Sequence, residues 1–514
     1  MFRLISLNFE NSILGHFPEG SLAFVPNSER GETEFPYTSV IIGQNGSGKS
    51  TILSYITEIF LDLAYYKENR VRNKNSKIAF SYTIEFESDN QNHKISQRRG
   101  PATKSSTGSA IPPGWFYQLT INNSDTTGEK TDWDKVQLPS NVIAVCYLPM
   151  DRFPKKANQP GDFYIYLGLV DNSNAARARL IMNNSLPMLI DTINKEKSVE
   201  FLKDILRFMQ VDEDYLGIKN SYRYKESFFT GNLTESDFTS LFNNWKSFSK
   251  REAKPFGVNY FEANIADDKK LISKIVNYLN LRAITDKIKI GEKSLLEFNL
   301  LDNPELFSEW ELLIHLRKLD LIDSFSLLFR KSRANKIDDS KLSSGEFHYF
   351  STIIAICGSM KENSLVLIDE PETSFHPNWQ MKYINHIKNL LQKNNSSHFI
   401  IATHSHFIVS DLEGASSEII GLKGLAPNVT AEPLERSTYG WSAEEVLYKV
   451  FNLRSTRNYF FEISLRELLH LISNKSEDKD RIVALYKDLK NTELDKNDPL
   501  TQILIETDEY IRNL

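Results

Sequence analysis

The sequence contains few cysteines, no long hydrophobic run and no strong excess of either charge. Two cysteines, Cys146 and Cys357, stand in 514 residues, too few for a disulfide framework, which favours a reducing compartment. No stretch approaches the roughly 18 apolar residues that span a membrane, and the alternating N-terminus MFRLISLNFENS lacks the pattern of a secretory signal. A net charge of −6 restricts any contact with nucleic acid to a local patch. We therefore expect a cytoplasmic protein without membrane association.

What is present is a globular composition with an α/β pattern that is interrupted in the middle. Hydrophobic residues at 40% and charged residues at 25% exclude disordered and fibrous classes. Alternating or apolar segments predict strands at the N-terminus and at residues 39–42, 78–87, 115–122, 141–148, 326–329, 365–368 and 398–402. The pattern divides the chain into a first α/β lobe (1–168), a helical insertion (169–325), a second lobe completing the same sheet (326–438) and a helical C-terminal region (439–514).

The segment Gly43–Ser50 (GQNGSGKS) matches the phosphate-binding pattern G-x-x-x-x-G-K-[ST]. It follows a β-branched strand and precedes a segment with helical spacing, the context that the pattern requires. Backbone amides and the helix N-terminus would hold phosphates, Lys49 would reach the β- and γ-phosphates, and the Ser50 hydroxyl would bind Mg²⁺. The predicted ATP-binding residues are Gly43, Asn45, Gly46, Ser47, Gly48, Lys49, Ser50 and Thr51.

Two later segments supply candidates for hydrolysis. LVLIDE, residues 365–370, delivers two carboxylates at the end of an apolar strand. Asp369 is placed to hold Mg²⁺ through water, and Glu370 is the candidate general base that polarises the attacking water. His404, in ATHSH, could contact the γ-phosphate or orient the water. His406 is a competing candidate, and a structural role is open for both.

The segment LSSGE, residues 342–346, has two interpretations. Ser343 and Glu346 form a capping box ahead of an apolar helix. The open helix N-terminus is also a potential anion site, which could meet the γ-phosphate of a nucleotide held by another subunit. The candidate residues of this site are Ser343, Ser344, Gly345 and Glu346.

In this order, the four segments resemble the Walker A, signature, Walker B and switch-histidine elements of ATP-binding-cassette (ABC) ATPases. The resemblance implies a mixed α/β head and a homodimer that sandwiches ATP, with Lys49 and Ser50 facing Ser343 and Gly345 of the second copy. EPETSFHP, residues 370–377, is similar to the RecF-like, SMC-like and overcoming-lysogenization-defect branch, which makes His376 a contact across the dimer. The family's usual glutamine is not evident. Asp151 is its best polar substitute and a further candidate for the metal, or is an ordinary loop aspartate.

The layout looks like the PtuA-type ATPases of Septu and retron anti-phage systems. Lys49 and Gly345 are separated by the whole insertion, unlike in transporter ATPases, and the stretch 438–451 (TYGWSAEEVLYKVF) narrows the resemblance. No H-N-H motif or paired-cysteine zinc spacing is visible. The resemblance implies ATP with Mg²⁺, a separate HNH nuclease subunit and, in retrons, a reverse transcriptase with its RNA-linked DNA. Assembly beyond a dimer stays open.

Two alternatives remain, and a nucleic-acid surface is a separate question. The chain could be a DNA-repair or chromosome-maintenance ATPase of the RecF/SMC type without a nuclease partner, or a nucleotide-gated scaffold in which hydrolysis is incidental.

Basic residues between positions 61 and 110 form either a phosphate-contacting surface or a solvated face: Lys67, Arg70, Arg72, Lys74, Lys77, Lys94, Arg98, Arg99 and Lys104. A second, weaker basic group is Arg152, Lys155, Lys156, Arg177 and Arg179.

Overall fold

The structure is a computed structural model. It describes residues 1–9, 20–26, 34–99, 103–104, 110–111, 115–122, 124–125, 132–146, 148, 151–155, 162–168, 200–221, 228, 230–248, 256–285, 295–301, 304–322, 326–332, 335–410, 412, 416–424, 429–434, 438, 440–451, 453, 457–474, 478–492 and 498–512. Lys156, Arg177 and Arg179 of the predicted basic groups lie outside these residues.

The strands, in chain order, are β1 (Phe2–Phe9), β2 (Gly20–Ala23), β3 (Tyr37–Gly43), β4 (Tyr82–Ser88), β5 (Gln91–Arg99), β6 (Thr103–Lys104), β7 (Ala110–Ile111), β8 (Trp115–Ile121), β9 (Ser124–Asp125), β10 (Val142–Cys146), β11 (Tyr164–Gly168), β12 (Leu216–Ser221), β13 (Leu295–Asn299), β14 (Ser326–Ser332), β15 (Asn335–Asp338), β16 (Leu365–Asp369), β17 (His398–Thr403), β18 (Ser417–Lys423) and β19 (Thr430–Pro433). The helices are α1 (Lys49–Asn69), α2 (Glu200–Phe208), α3 (Glu235–Phe248), α4 (Phe256–Asn264), α5 (Lys269–Thr285), α6 (Pro304–Lys318), α7 (Ser344–Ser359), α8 (Pro377–Leu390), α9 (His406–Val409), α10 (Ala443–Lys449), α11 (Tyr459–Ser473), α12 (Lys479–Lys490) and α13 (Pro499–Arg512).

A central sheet carries the order β11-β10-β16-β17-β3-β18-β19. All neighbouring pairs are parallel except β18 and β19. Every residue of β10, β16 and β17 is buried, as expected for parallel strands whose two faces are both covered. Strand β3 of the first lobe lies between strands β17 and β18 of the second, and β10 of the first lobe pairs with β16 of the second, so the prediction that both lobes build one sheet is confirmed.

An antiparallel sheet packs with α1 and the central sheet in one core. Its order is β2-β1-β4-β5-β8-β9. Phe60 on α1 contacts Phe2 at 5.8 Å and Phe86 at 5.6 Å between ring centroids. Apolar α1 side chains such as Ile52 and Ile56 belong to the same buried cluster as Leu367 of β16. Because α1 begins at Lys49, this packing fixes the end of the helix that follows the glycine-rich loop.

The described part of the insertion is largely helical but contributes two strands that the sequence analysis did not predict. β12 and β13 join β14 and β15 in a four-stranded antiparallel sheet of order β13-β12-β14-β15. The segments LGIKNS and LLEFN are short and poor in β-branched residues, so their own pattern is weak. Pairing with β14 supplies the preference that the local sequence lacks. The helical insertion is therefore corrected to a mixed module attached to the second lobe by sheet pairing.

Contacts divide the chain into two compact units, Met1–Gly440 and Trp441–Leu514. The second unit is helical, as predicted, with α10 to α13 and a core around Leu468, Ile482 and Leu485. Among the helices of the described residues, none has the length and apolar character of a membrane span.

Buried His398 joins the antiparallel sheet to the central sheet. The Leu4 amide donates to its Nδ1 at 3.0 Å, and its Nε2 donates to Ser39 Oγ at 2.8 Å. Ser39 Oγ in turn donates to the Phe24 carbonyl at 2.7 Å. Burial, together with the charge of nearby Arg3, holds the pKa of His398 well below its usual value. The neutral ring therefore satisfies one donor from β1 and one acceptor from β3.

We predict that His398→Ala lowers the free energy of unfolding by about 2–4 kcal/mol, since it leaves a cavity and an unpaired buried amide. Because the folded-state pKa is depressed, the contribution of neutral His398 is complete above about pH 6.5 and is lost as the unfolded chain binds a proton below it. Urea unfolding at pH 7.5 and 5.5 should show a smaller acid-induced loss in the variant. His470→Ala, at an exposed position, is the control, and an unchanged urea midpoint in His398→Ala would contradict the prediction.

Candidate functional site

The glycine-rich loop joins the end of β3 to the start of α1. Gly46 and Gly48 have φ values of 83° and 91°, a region that side chains rarely adopt, so glycine is required at both positions. The Ser47 amide donates to the Gln44 carbonyl at 3.1 Å. The Ser47 hydroxyl is buried and has no hydrogen-bond partner among the described residues. This orphaned group is a donor available to a phosphate oxygen.

Lys49 is buried at the centre of the site, with 4% of its side chain exposed. Its Nζ donates to the Gly43 carbonyl at 3.0 Å and to His404 Nε2 at 2.5 Å. It lies 3.9 Å from Glu370 Oε1. Burial lowers the pKa of Lys49, and the opposing charge of Glu370 partly restores it. The structure thus brings the lysine of the loop together with residues that follow two other strands.

Ser50 and Asp369 form the part of the site that could hold a divalent cation. Ser50 Oγ donates to Asp369 Oδ1 at 3.0 Å. Burial raises the pKa of Asp369 to about 6, and the Ser50 hydrogen bond opposes this shift. Mg²⁺ binds oxygen ligands and usually takes few protein groups, completing its shell with water and substrate phosphates. A hydroxyl beside a buried carboxylate, with the half-buried carboxyl groups of Glu370 and Glu372 nearby and one lysine opposite them, fits Mg²⁺ bound together with phosphate oxygens.

Glu370 begins a strained turn directly after β16. Its φ is 49° and that of Ser374 is 71°, conformations that cost energy for residues other than glycine. The Thr373 amide and hydroxyl both donate to the Glu370 carbonyl, at 3.3 and 2.9 Å. Burial, followed by the neighbouring Glu372 carboxylate, raises the pKa of Glu370 to about 9. The turn therefore holds a carboxyl group with raised proton affinity beside Lys49.

The geometry distinguishes the two candidate histidines. His404 Nε2 lies 3.1 Å from Glu370 Oε1, and its imidazole also hydrogen-bonds the Gly43 backbone. Burial and the Lys49 charge lower the pKa of His404, which favours the neutral ring. His406 starts α9, and its ring lies against Phe407 at 3.9 Å between centroids. His404 is the histidine that meets the glycine-rich loop.

Glu372 is a site residue that the sequence analysis missed. Its Oε1 accepts from Thr403 Oγ1 and from the His404 amide, both at 2.7 Å. Its Oε2 is buried and accepts from no amide, hydroxyl or cation in the described part of the chain, while its carboxylate can accept a hydrogen bond from the protonated Glu370 carboxyl group. The available signal was a second acid two positions after Glu370, in a turn that follows a buried strand.

The residues of LSSGE lie at the N-terminus of α7. The predicted capping box is confirmed: Ser343 Oγ accepts from the Glu346 amide at 3.2 Å, and Glu346 accepts from the Ser343 amide at 2.7 Å. Ser343 and Ser344 are exposed, while Gly345 is buried. A Cβ added to Gly345 would lie 2.5 Å from the Ser374 carbonyl oxygen. This helix end therefore packs closely on the turn after β16 and presents two serines outward.

Asp151 and His376 have local partners. Asp151 accepts hydrogen bonds from Tyr166 OH at 2.5 Å and from the Phe153 amide at 3.1 Å, so both of its carboxylate oxygens are engaged. The negative charge of Asp151 also contributes to the raised pKa of Asp369. His376 is exposed and caps α8 by accepting from the Asn378 amide at 3.3 Å. The metal role of Asp151 and the intersubunit role of His376 stay predictions.

Comparison with known proteins finds relatives of parts of this chain. A family model described as "AAA domain, putative AbiEii toxin, Type IV TA system" matches residues 168–410, slightly less than half of the chain. This range includes Asp369, Glu370 and His404 but not the glycine-rich loop. The Septu protein PtuA of Bacillus thuringiensis is 30% identical over 229 residues, which cover 40% of this chain and 52% of that protein. The chain thus spans about half the length of this curated relative.

Solved structures of SMC heads show a more distant similarity. The head with an extended coiled coil bound to the C-terminal domain of ScpA, from Pyrococcus furiosus, is 13% identical, with a TM-score of 0.33; the match covers 88% of this chain and 100% of that chain. The head domain from Thermotoga maritima is 13% identical, with a TM-score of 0.32, over 84% and 100% of the two chains. At these TM-scores the similarity carries no conclusion about this chain.

Proposed function

We propose that this chain, which contains a P-loop ATPase domain related to the Septu protein PtuA, is an ABC-type ATPase that dimerises around ATP and controls a separate nuclease. The observation that carries the proposal is the meeting of Lys49, Ser50, Asp369, Glu370 and His404 at the carboxyl ends of three adjacent parallel strands. Ligands of open α/β sheets bind at that edge. The insertion, whose helix α2 contacts α7 and α8, would then couple the site to a partner.

Each residue of this cluster has a role that its position supports. Lys49 and the α1 N-terminus would bind phosphate oxygens, and Ser50 with Asp369 would hold Mg²⁺. Bound there, the metal would neutralise charge that develops on the transferred phosphate. Glu370, held beside His404 and favoured in its ionised form by bound Mg²⁺, would then accept a proton from the attacking water. The neutral imidazole of His404 would bind the terminal phosphate.

Replacing Glu370 by Gln should slow ATP hydrolysis by a factor on the order of 10² to 10⁴, since a positioned base is lost while the side-chain shape is kept. ATP binding should persist, and ATP-bound dimers should accumulate. The rate of phosphate release measures hydrolysis, and the molar mass in solution with ATP measures the accumulation of dimers. Glu362→Gln, at an exposed carboxylate outside the site, is the matched control. Unchanged turnover would remove Glu370 from the role of base.

The proposed dimer uses the exposed serines at the α7 N-terminus. Adding Ser344→Arg to the Glu370→Gln chain places a bulky cation there without removing the Ser343 cap. The trapped dimers should then disappear, while each chain still binds ATP. Dimers that survive both substitutions would show that another surface joins the two copies.

The insertion is placed to report on the site. Phe208 of α2 stacks on Tyr349 of α7 at 4.5 Å and on His386 of α8 at 4.4 Å between ring centroids. α7 begins at the capping box, and α8 follows the turn that carries Glu370. A displacement of the insertion would therefore shift two helices that border the site. This connection supports a regulatory role, and the similarity to PtuA supports a nuclease of the HNH class as the regulated partner.

Purification of the chain together with the products of its neighbouring genes should yield a complex with an HNH nuclease subunit. A reverse transcriptase with RNA-linked DNA in the same complex would indicate a retron. Lys49→Ala should alter the control of the nuclease, because ATP binding is lost. Association with replication or repair proteins instead would favour the RecF/SMC alternative. Full biological activity of Glu370→Gln would favour a nucleotide-gated scaffold.

Contact with nucleic acid is best supported at one end of the antiparallel sheet. Arg98 pairs in register with Phe116, and Arg99 with Trp115. Phe116 is 48% exposed, and the Arg72 guanidinium lies 5.0 Å from the centre of the Trp115 ring. Arginines next to exposed aromatic rings suit phosphate contact together with base stacking.

Other parts of the predicted basic region are already neutralised. Arg70 pairs with Asp134, and Lys77 pairs with Glu58 at 3.2 Å. These ion pairs reduce the positive charge that is available elsewhere along the region. We propose the arginine and aromatic group at the ends of β5 and β8 as the nucleic-acid surface because its arginines lie beside an exposed aromatic side chain.

Arg98→Glu combined with Arg99→Glu should weaken binding of a single-stranded oligonucleotide at least about tenfold and flatten its salt dependence, because phosphate contacts are lost. Fluorescence anisotropy titrations at about 50 and about 200 mM salt measure the affinity and its dependence on salt. ATP hydrolysis without nucleic acid should not change, since the two arginines lie outside the ATP site. Arg466→Glu, in the C-terminal unit, is the control. Equal affinity of the double variant and the unchanged chain would refute this surface.

A further inference from the structure

We infer that Glu372 is a positioning residue for hydrolysis, which holds the His404 loop against the turn that carries Glu370. The inference rests on the proposed function, because it assigns a role within the same site. Glu372 is not placed to act on substrate directly, since one of its oxygens is already occupied by two donors of the neighbouring loop. Its effect would be exerted through the positions of His404 and Glu370.

The first part of the argument is a directed chain of hydrogen bonds at the end of β17. The Ser405 amide donates to Thr403 Oγ1 at 2.9 Å, so the hydroxyl hydrogen is free to donate to Glu372 Oε1. The His404 amide donates to the same oxygen. Three consecutive residues of this loop are therefore ordered around one carboxylate oxygen. His404, the middle residue, is the one whose ring reaches Lys49 and Glu370.

The second part is the stiffness of the turn between Glu370 and Glu372. Only Pro371 separates them, and its ring fixes its own φ. Thr373 donates twice to the Glu370 carbonyl, which closes the turn around the proline. The Glu370 amide also donates to the Ala402 carbonyl of β17 at 2.9 Å. Glu370 and Glu372 therefore move as one body, and Glu372 sets the distance between this body and His404.

The third part is the cost of keeping a carboxylate at this position. Glu372 Oε2 is buried and accepts no hydrogen bond from an amide, a hydroxyl or a cation within the described residues. The carboxyl group of Glu370 can hydrogen-bond Glu372 only while it is protonated, and Asp369 is a second acid close by. A buried unpaired oxygen is unfavourable for folding. A side chain without a carboxylate would avoid that cost. What Glu372 adds in return is the pair of hydrogen bonds that its Oε1 accepts from Thr403 and from the His404 amide.

The test compares Glu372→Ala with Glu372→Gln in the full-length chain. Gln keeps an oxygen that can accept from Thr403 and His404, whereas Ala does not. We expect Ala to lower kcat for ATP by about 10- to 100-fold, the scale of a misplacement near 1 Å. KM and the affinity for a non-hydrolysable ATP analogue should stay within about threefold. Gln should restore kcat to within about fivefold of the unchanged chain.

Thr403→Val guards against a folding defect in Glu372→Ala. It removes one of the two donors at nearly constant shape and should lower kcat in the same direction by a smaller factor. Its effect should not add to that of Glu372→Ala, because both changes break the same contact. Glu362→Ala controls for removal of an exposed carboxylate.

Several outcomes would overturn the inference. An unchanged kcat in Glu372→Ala would do so, as would a raised KM with unchanged kcat, or a Gln variant as slow as the Ala variant. If Lys49→Ala abolishes ATP hydrolysis while Glu372→Ala keeps it unchanged, the role of Glu372 is overturned and the proposed function stands. Absence of any Lys49-dependent hydrolysis in the unchanged chain would overturn the proposed function and this inference together.

Discussion

Lys49 is buried against Glu370, and the carboxylates of Asp369 and Glu372 lie close by. Burial of charge is unfavourable unless the groups are paired and hydrogen-bonded, so these side chains constrain one another. They can meet only because β3, β16 and β17 are adjacent and parallel, with Asp369 in register with Ala402, and Thr403 with Ile42. A shift of any of these strands would leave the lysine without its partners.

The negative excess that this arrangement creates explains why it suits Mg²⁺ with a nucleotide. Asp369 and Glu370 both have raised pKa values, chiefly because they are buried, and one ammonium group does not balance three carboxylates. A divalent cation would supply the missing charge, and phosphate oxygens would replace carboxyl groups around Lys49. The orphaned hydroxyl of Ser47 lies in the same loop and provides a further donor for phosphate.

The turn from Glu370 to Phe375 connects the site to the helix that bears the exposed serines. Ser374 meets Gly345 at a distance that leaves no room for a side chain, and buried His348 of α7 donates to the Thr373 carbonyl at 2.8 Å. On the other side, Glu372 binds the loop after β17. Residues with positive φ persist where the surrounding contacts over-determine the backbone, and this turn is held by α7 on one side and by the loop after β17 on the other. The candidate base and the candidate intersubunit surface therefore share one rigid segment.

Local sequence was sufficient for features that depend on neighbours along the chain. The glycine-rich loop needs glycine at positions 46 and 48 because of its own backbone, and the Ser343 and Glu346 capping box is complete within four residues. The buried strands β3, β10, β16 and β17 were predictable because an apolar run is typical of a parallel strand covered on both faces. β12 and β13 were not predictable, because their strand conformation comes from pairing with β14.

The sequence by itself determined which chemical groups the chain carries and the order in which they occur. Tertiary structure decided which of them meet. It selected His404 over His406, engaged both oxygens of Asp151 with Tyr166 and the Phe153 amide, and brought Glu372 onto a loop more than thirty residues away. These outcomes follow from strand order and register, which depend on contacts between distant segments and leave no periodic signal in the residues themselves.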